Sequence, residues 1–342
     1  MPVVREPLDQ FGRPIDDLRI SIIDRCNFRC TFCMPKDNEY KFLPREELLS
    51  FEEIERLARV FVGLGVTKLR LTGGEPLLRA EVEKLIGMLA GIAGVTDLAL
   101  TTNGYLLADK APALAAAGLH RVTVSLQSLR DEVFGRLNGL GYKIADVLAG
   151  IDAAAEAGLG PIKINVVVMK DTNDDEIGEL ASYFKVRGHV VRFIEFMDVG
   201  TLNHWDPEQV ISAREIRDRV ARSSPIEQVP RDRPGEVADR FRYIDDGVEV
   251  GTIASVTEPF CGDCSRARLS ADGRLFTCLF ASEGHDFKAL LRSGGSDDEL
   301  AERVAGIWDR RSDRYSEERS NMLEAEAPLH TLRRVEMFRI GG

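Results

Sequence analysis

Between residues 18 and 197, six short β-branched runs alternate with Ala- and Leu-rich segments of helical period. The runs are LRISII (18–23), KLRLT (68–72), DLALTT (97–102), RVTVSL (121–126), IKINVVVM (162–169) and VVRFIEFM (190–197). Short apolar runs of this kind suit strands buried on both faces of a parallel sheet. Six strand-helix units in succession predict an α/β fold, an incomplete (β/α)6 barrel of the TIM type, with an open doubly wound sheet as the alternative. Between the runs, Ser50-x-x-Glu53 is a capping box opening FEEIERLARVFVGLG, which closes on Gly63 or Gly65. Pro112 suits the first helical position of APALAAAG.

After Met197 the pattern changes. A helix is expected from Ser212-x-x-Glu215, and SSPIEQVPRDRPGEVADR reads as a connection. FRYIDDGVEVGTIASV and ARLSADGRLFTCLF each place a D-G turn between extended runs, the signal of a hairpin. The expected organisation is a core over residues 10–235 and a smaller C-terminal α+β region over 236–342. With 342 residues, 44% of them hydrophobic, the chain can bury cores of that size. Its 45 basic and 56 acidic side chains leave a net charge of −11, which argues against a nucleic-acid or membrane-surface binder. No N-terminal apolar region and no run near the roughly 18 apolar residues of a membrane span is present, so a cytoplasmic location is expected.

All six cysteines fall into two triads: Cys26, Cys30 and Cys33 in C-x3-C-x2-C spacing, and Cys261, Cys264 and Cys278 in C-x2-C-x13-C spacing. In a reducing compartment such clusters are more often metal or redox groups than disulfides. A cubane iron-sulfur cluster takes four thiolates, so a triad leaves one iron open to a small molecule. Zinc favours four Cys or His ligands in paired units, and the first triad has neither a paired partner nor a histidine in its loop.

Barrel active sites gather where strands end, and the unusual residues fall there. The first triad follows the first run, Gly73-Gly74-Glu75-Pro76 the second and Thr101-Thr102-Asn103-Gly104 the third; Ser125-Leu126-Gln127-Ser128 ends the fourth and Met197-Asp198 the sixth. Arg19, Arg70, Lys163 and Arg192 lie within the runs themselves. Each is open to reading as a buried ion-pair member, and together they form an electropositive interior for an anion in an acidic protein. Arg266 and Arg268 share a face if that segment is extended. No Walker motif or G-x-G-x-x-G is present, and the five histidines are scattered.

Cys26-Asn27-Phe28-Arg29-Cys30-Thr31-Phe32-Cys33, with GGEP downstream, resembles the signature of the radical S-adenosylmethionine enzymes. Cys261-Gly262-Asp263-Cys264-Ser265-Arg266-Ala267-Arg268, Cys278 and the terminal Gly341-Gly342 narrow this to a resemblance to the GTP 3′,8-cyclase family of molybdenum-cofactor biosynthesis, over about Leu18 to Gly342. Phe32 stands where tyrosine is frequent and Gln127 where many relatives carry an acid.

The resemblance implies two [4Fe-4S] clusters, one on each triad, and S-adenosylmethionine contacted by Phe32, Gly74, Ser125 and Met197. It implies GTP contacted by Arg19, Arg70, Thr101, Lys163, Arg266, Ala267 and Arg268, and catalytic participation of Gly341 and Gly342. The implied reaction is radical cyclisation of GTP to (8S)-3′,8-cyclo-7,8-dihydroguanosine 5′-triphosphate. An external one-electron reductant and a downstream cyclic pyranopterin monophosphate synthase are the implied partners, and the chain is expected as a monomer or homodimer. Alternatives are a radical enzyme acting on a peptide, whose auxiliary cluster transfers electrons, and a non-catalytic iron-sulfur or zinc redox sensor.

Overall fold

The computed structural model describes residues 6–231, 233, 235–324 and 334–341. The six runs form parallel strands: β1 (Asp17–Ser21), β2 (Lys68–Thr72), β3 (Asp97–Thr102), β4 (Arg121–Ser125), β5 (Lys163–Val168) and β6 (Val190–Glu195), paired in chain order. The helix Phe51–Gly63 opens on the expected capping box, in which Ser50 accepts from the Glu53 amide and the Glu53 carboxylate accepts from the Ser50 amide.

The C-terminal strands are β7 (Ile226–Val229), β8 (Asp239–Tyr243), β9 (Glu249–Ile253), β10 (Arg266–Leu269), β11 (Arg274–Phe276) and β12 (His285–Asp286). Both expected hairpins form, β8 with β9 and β10 with β11. They do not stack into a sheet of their own. β9 runs parallel to β6 at one edge of the barrel sheet and β10 parallel to β1 at the other, giving the order β12-β11-β10-β1-β2-β3-β4-β5-β6-β9-β8-β7. The second cysteine triad is thereby carried to the strand that bears the first.

Two local expectations are corrected. Pro112 lies inside the helix Leu107–Ala116. Starting at residue 107 buries Leu107 and Ala111 together with Leu114, which outweighs the hydrogen bond that proline cannot donate. The segment read as a connection contains β7, whose four residues pair antiparallel with β8, Ile226 opposite Tyr243 and Val229 opposite Arg240.

The strands also differ from the expectation of two apolar faces. Leu18, Ile20, Leu69, Leu71, Leu98, Leu100, Val122 and Val124 are fully buried in the main hydrophobic core. The alternate positions are mostly polar and line a cavity. The outer face of this sheet is packed core; its inner face is a site.

Candidate active site

Register sets charged side chains of successive strands side by side. Arg268 lies opposite Arg19, Arg19 opposite Arg70, Arg70 opposite Ala99 and Ala99 opposite Arg121. Two residues earlier on the same strands come Arg266, Asp17, Lys68 and Asp97. On the far side Thr123 lies opposite Lys163, and Asn165 opposite Arg192. The charged members of these rows line one cavity of about 420 Å³.

The earlier row is neutralised, with Asp17 2.8 Å from Lys68 and Asp97 2.6 Å from Arg121. Burial opposes ionisation of Asp17, but Lys68, Arg19 and Arg70 together hold its carboxyl well below the usual range. The next row is different: among the described residues, Arg19, Arg70, Lys163, Arg192 and Arg268 have no carboxylate at ion-pair distance. Arg70 donates to the hydroxyls of Thr101 and Thr123, each at 3.2 Å, and Arg192 to Asn165 Oδ1 at 3.0 Å. The Nε atoms of Arg19, Arg70 and Arg266 are buried without a hydrogen-bond partner. Burial, then repulsion by Arg192, Arg121, Arg70 and Lys68, pushes Lys163 down to about 7. Burial and neighbouring arginines likewise lower Arg70, Arg192 and Arg268. This is a site short of negative charge.

The first triad sits where β1 ends. Its loop lies against the GGEP loop, with the Gly74 amide donating to Ile23 O at 2.7 Å and the Glu75 amide to Arg25 O at 2.8 Å. A Cβ on Gly74 would stand 2.3 Å from Arg25 O, so the glycine permits two backbones to touch. Glu75 is buried and accepts from the Leu77 amide (3.0 Å), the Thr102 hydroxyl (2.8 Å) and the Asn103 amide (2.8 Å); desolvation raises it to about 7. Asn103 in turn donates to Asn27 Oδ1 at 2.8 Å. Glu75 therefore ties the third rim loop to the cysteine loop. Phe28 stacks on Tyr142 at 4.8 Å and meets Tyr105 and Phe134 edge-on. Burial raises Cys26 to about 12, helped by Glu75, and Cys30 and Cys33 further still.

The second triad faces the same cavity from β10. Arg266 Nη2 donates to Cys264 Sγ at 3.0 Å. Burial would raise that thiol, but Arg266 and Arg311 reverse the effect and bring it to about 6. Cys278 rises to about 11 through burial and Asp313. The C-terminal segment reaches the same place: Arg268 donates to the carbonyls of Ile340, at 3.4 Å, and Gly341.

All six cysteines are free and half-buried, three at each of two places on the cavity wall. Among the described residues no group of three or more His, Cys, Asp or Glu is arranged to hold a single metal ion. A cluster takes its thiolates on separate irons, so three cavity-facing thiols with no fourth are a donor set that suits one cluster each with an open iron.

The structure brings Phe32, Gly74, Ser125 and Met197 to this cavity together with Arg19, Arg70, Thr101, Lys163, Arg266 and Arg268. Ala267 is not among the lining residues; its side chain is buried in the core on the opposite face of β10, leaving only its main chain for any contact. Gly342 lies outside the described residues. Gln127 is buried and its Oε1 accepts from the Val167 amide at 2.7 Å, joining β4 to β5. Sequence reading missed Asp17, Lys68, Asp97, Arg121 and Asn165. Spacing carried the signal, since Asp17 and Lys68 stand two residues before Arg19 and Arg70 and so share their face.

Comparison with known proteins agrees with this arrangement. Residues 20–184 match the radical SAM superfamily, and residues 189–317 match Molybdenum Cofactor Synthesis C. A GTP 3′,8-cyclase of Acidothermus cellulolyticus is 51% identical, with 98% of each chain covered. A GTP 3′,8-cyclase of Xanthomonas campestris pv. campestris is 50% identical over 98% of this chain and 97% of its own. One of Staphylococcus carnosus is 46% identical over 99% and 100%. A barrel opening onto two cysteine triads, matched end to end by these relatives, places the chain in the GTP 3′,8-cyclase family of the radical SAM superfamily.

Proposed function

We propose that the chain cyclises GTP to (8S)-3′,8-cyclo-7,8-dihydroguanosine 5′-triphosphate, the first step of molybdenum-cofactor biosynthesis. The observation that carries this reading is the uncompensated cationic row between the two triads. Each buried N–H left without an acceptor costs on the order of 1–3 kcal/mol, and a triphosphate supplies acceptors for several at once. A peptide substrate gives the row no such role.

In this reading Cys26, Cys30 and Cys33 hold one [4Fe-4S] cluster and Cys261, Cys264 and Cys278 another. When bound, the first cluster with S-adenosylmethionine would supply radical chemistry at the ribose, and the second would supply a Lewis-acidic site for the guanine end. Phe32, Gly74, Ser125 and Met197 would orient S-adenosylmethionine. Arg19, Arg70, Thr101, Lys163, Arg266 and Arg268, with the Ala267 main chain, would hold GTP at a fixed distance from it. Positioning and exclusion of water are what the protein contributes. Gly341 and Gly342 would close the site from the C-terminal side. Residues 10–235 then form the radical core, which also supplies GTP contacts, and residues 236–342 the region that carries the second cluster and the C-terminal glycines. An external one-electron donor and a cyclic pyranopterin monophosphate synthase that consumes the product complete the reading, with the cytoplasm as its place; no helix of the described residues is long and apolar enough to cross a membrane.

The test is anaerobic turnover of iron-reconstituted protein with S-adenosylmethionine, dithionite and GTP, followed by mass spectrometry. Both 5′-deoxyadenosine and a cyclised guanine nucleotide are expected, the nucleotide alone being lost in Arg266→Ala. Deoxyadenosine formation with GTP unchanged would discard the substrate.

A further inference from the structure

The loop carrying the second triad is held from behind by residues that precede the radical SAM match, which begins at residue 20. Asp9, Arg13 and Arg311 are all buried. One Asp9 carboxylate oxygen accepts from both arginines, from Arg13 Nε at 2.6 Å and from Arg311 Nη1 at 3.0 Å. The other accepts from the amides of Phe11 and Arg13, each at 2.9 Å. The other guanidinium donors go to the triad's backbone and to Asp313, whose carbonyl accepts from Arg13 Nη1 at 3.1 Å and whose carboxylate lies 3.4 Å from Arg311 Nε, while Arg13 Nη2 is buried without a partner. Arg13 Nη1 reaches Cys261 O at 2.6 Å; Arg311 Nη1 reaches Cys264 O at 2.7 Å, and its Nε reaches Thr277 O, one residue before Cys278, at 3.1 Å. Trp308 fixes the arrangement, donating to Arg13 O at 2.8 Å and lying under the Arg311 guanidinium at 4.4 Å from its ring centre.

We propose that Asp9, Arg13 and Arg311 are positioning residues for the iron-sulfur cluster of Cys261, Cys264 and Cys278: one carboxylate and two guanidiniums set the two ligand segments in register and place guanidinium charge beside the thiolates. This rests on the reading of that triad as cluster ligands. The cysteines come from two segments separated by a hairpin, and these carbonyl contacts join the Cys261–Cys264 turn to the residue preceding Cys278. The guanidinium charge has a second consequence. A reduced cluster carries one more negative charge than an oxidised one, so a nearby cation raises its reduction potential. Removing an arginine lowers the potential, and neutralising Asp9 raises it.

The experiment uses the full-length chain with Cys26, Cys30 and Cys33 replaced by alanine, so that any reconstituted cluster belongs to the second triad. Iron retention against a chelator, the electron paramagnetic resonance spectrum and the reduction potential are compared among this parent, Arg311→Met, Arg311→Lys and Asp9→Asn. Arg311→Met is expected to weaken retention about 10- to 100-fold, as loss of an outer hydrogen-bonding partner does at metal sites, and Arg311→Lys to recover part of it. The potential is expected to fall in Arg311→Met and rise in Asp9→Asn, opposite shifts that general loosening of the fold does not produce. If Arg311→Met fails to fold by circular dichroism, the lysine and asparagine variants carry the test. Retention and potential equal to the parent's in the folded variants would overturn the proposal. A parent that binds no iron would instead remove the ligand reading beneath it, and the proposal with it.

Discussion

Cys26, Cys30 and Cys33 come from one loop of eight residues beside the aromatic rings of Phe28, Tyr105, Phe134 and Tyr142, whereas Cys261, Cys264 and Cys278 come from a turn and a hairpin flanked by Arg266 and Arg311. Burial dominates at the first place and pushes all three thiols up. At the second, Arg266 and Arg311 overcome burial at Cys264 and bring it down to about 6, while burial and Asp313 raise Cys278 to about 11. The same ligand chemistry is thus set in two different fields. On the proposed reading the aromatic-flanked loop would receive S-adenosylmethionine, whose sulfonium, ammonium and carboxylate leave it one net positive charge. A cationic wall suits a triphosphate. On the proposed reading this difference would let one cavity take two unlike reagents, each at its own end.

The strongest break of this comparison removes one triad at a time. Replacing Cys26, Cys30 and Cys33 by alanine is expected to abolish 5′-deoxyadenosine and the cyclised nucleotide alike. Replacing Cys261, Cys264 and Cys278 is expected to abolish the nucleotide and leave S-adenosylmethionine cleavage. Product quantification by mass spectrometry checks both, and loss of cleavage in the second variant would show that the two ends are not separable.

Much of this layout is legible without coordinates, and for identifiable reasons. Six runs at strand spacing set the barrel, and rim motifs after successive strands set the mouth of the site. What escaped reading depended on pairing across the sheet. Lys68 and Arg121 look like ordinary strand-end charges until register places them in rows with Asp17, Arg70 and Asp97. The GGEP glycines suggest approach to a ligand, yet the atoms they admit belong to Ile23 and Arg25. Asp9 and Arg13 could not be assigned, because Asp9 meets Arg311 across 302 positions and Arg13 meets Cys261 O across 248. β7 escaped because its four residues, Ile226 and Val229 flanking Glu227 and Gln228, are too short a run to show alternation.

Within the first half, Glu75→Gln tests how the cysteine loop is held. Both carboxylate oxygens of Glu75 act as acceptors, so an amide group must turn its NH2 toward at least one existing donor. A loss on the order of 1–3 kcal/mol of stability is expected, with S-adenosylmethionine cleavage impaired more than GTP binding. Denaturant unfolding and nucleotide titration check this. Equal loss of both functions would mean that Glu75 supports the barrel generally. Gly341→Ala is a smaller change at the other half. Gly341 has φ +72°, which costs an L-residue about 1–2 kcal/mol, and a Cβ there would stand 2.1 Å from the Cγ2 of buried Thr72. The segment must then leave Arg268. Cyclisation is expected to fall about tenfold or more for each 1.4 kcal/mol lost in the transition state, while deoxyadenosine formation continues. An unchanged cyclisation rate would remove Gly341 from the closed site.

The finest probe is the proton on Lys163. Burial and the cations Arg192, Arg121, Arg70 and Lys68 hold it at about 7, against an ordinary 10.5. Between those values the unfolded chain binds more protons than the folded one, so this group makes stability rise with pH over that window; below about 7 both states are protonated and the full cost of the buried charge is present. A bound triphosphate reverses the local field and restores the proton. GTP binding above pH 7 is therefore expected to take up protons, and affinity to fall with rising pH by at most about tenfold per pH unit for one proton. Lys68, lowered to about 8 by burial but paired with Asp17, contributes at the upper end of the range. Calorimetric titrations at about pH 7.5, half a unit above the Lys163 midpoint, in two buffers of different ionisation enthalpy measure the uptake directly. Lys163→Met should remove most of it while leaving the arginine contacts in place. If the unaltered protein takes up no proton, Lys163 is already charged in the empty cavity, and the positive row is better compensated than its geometry shows.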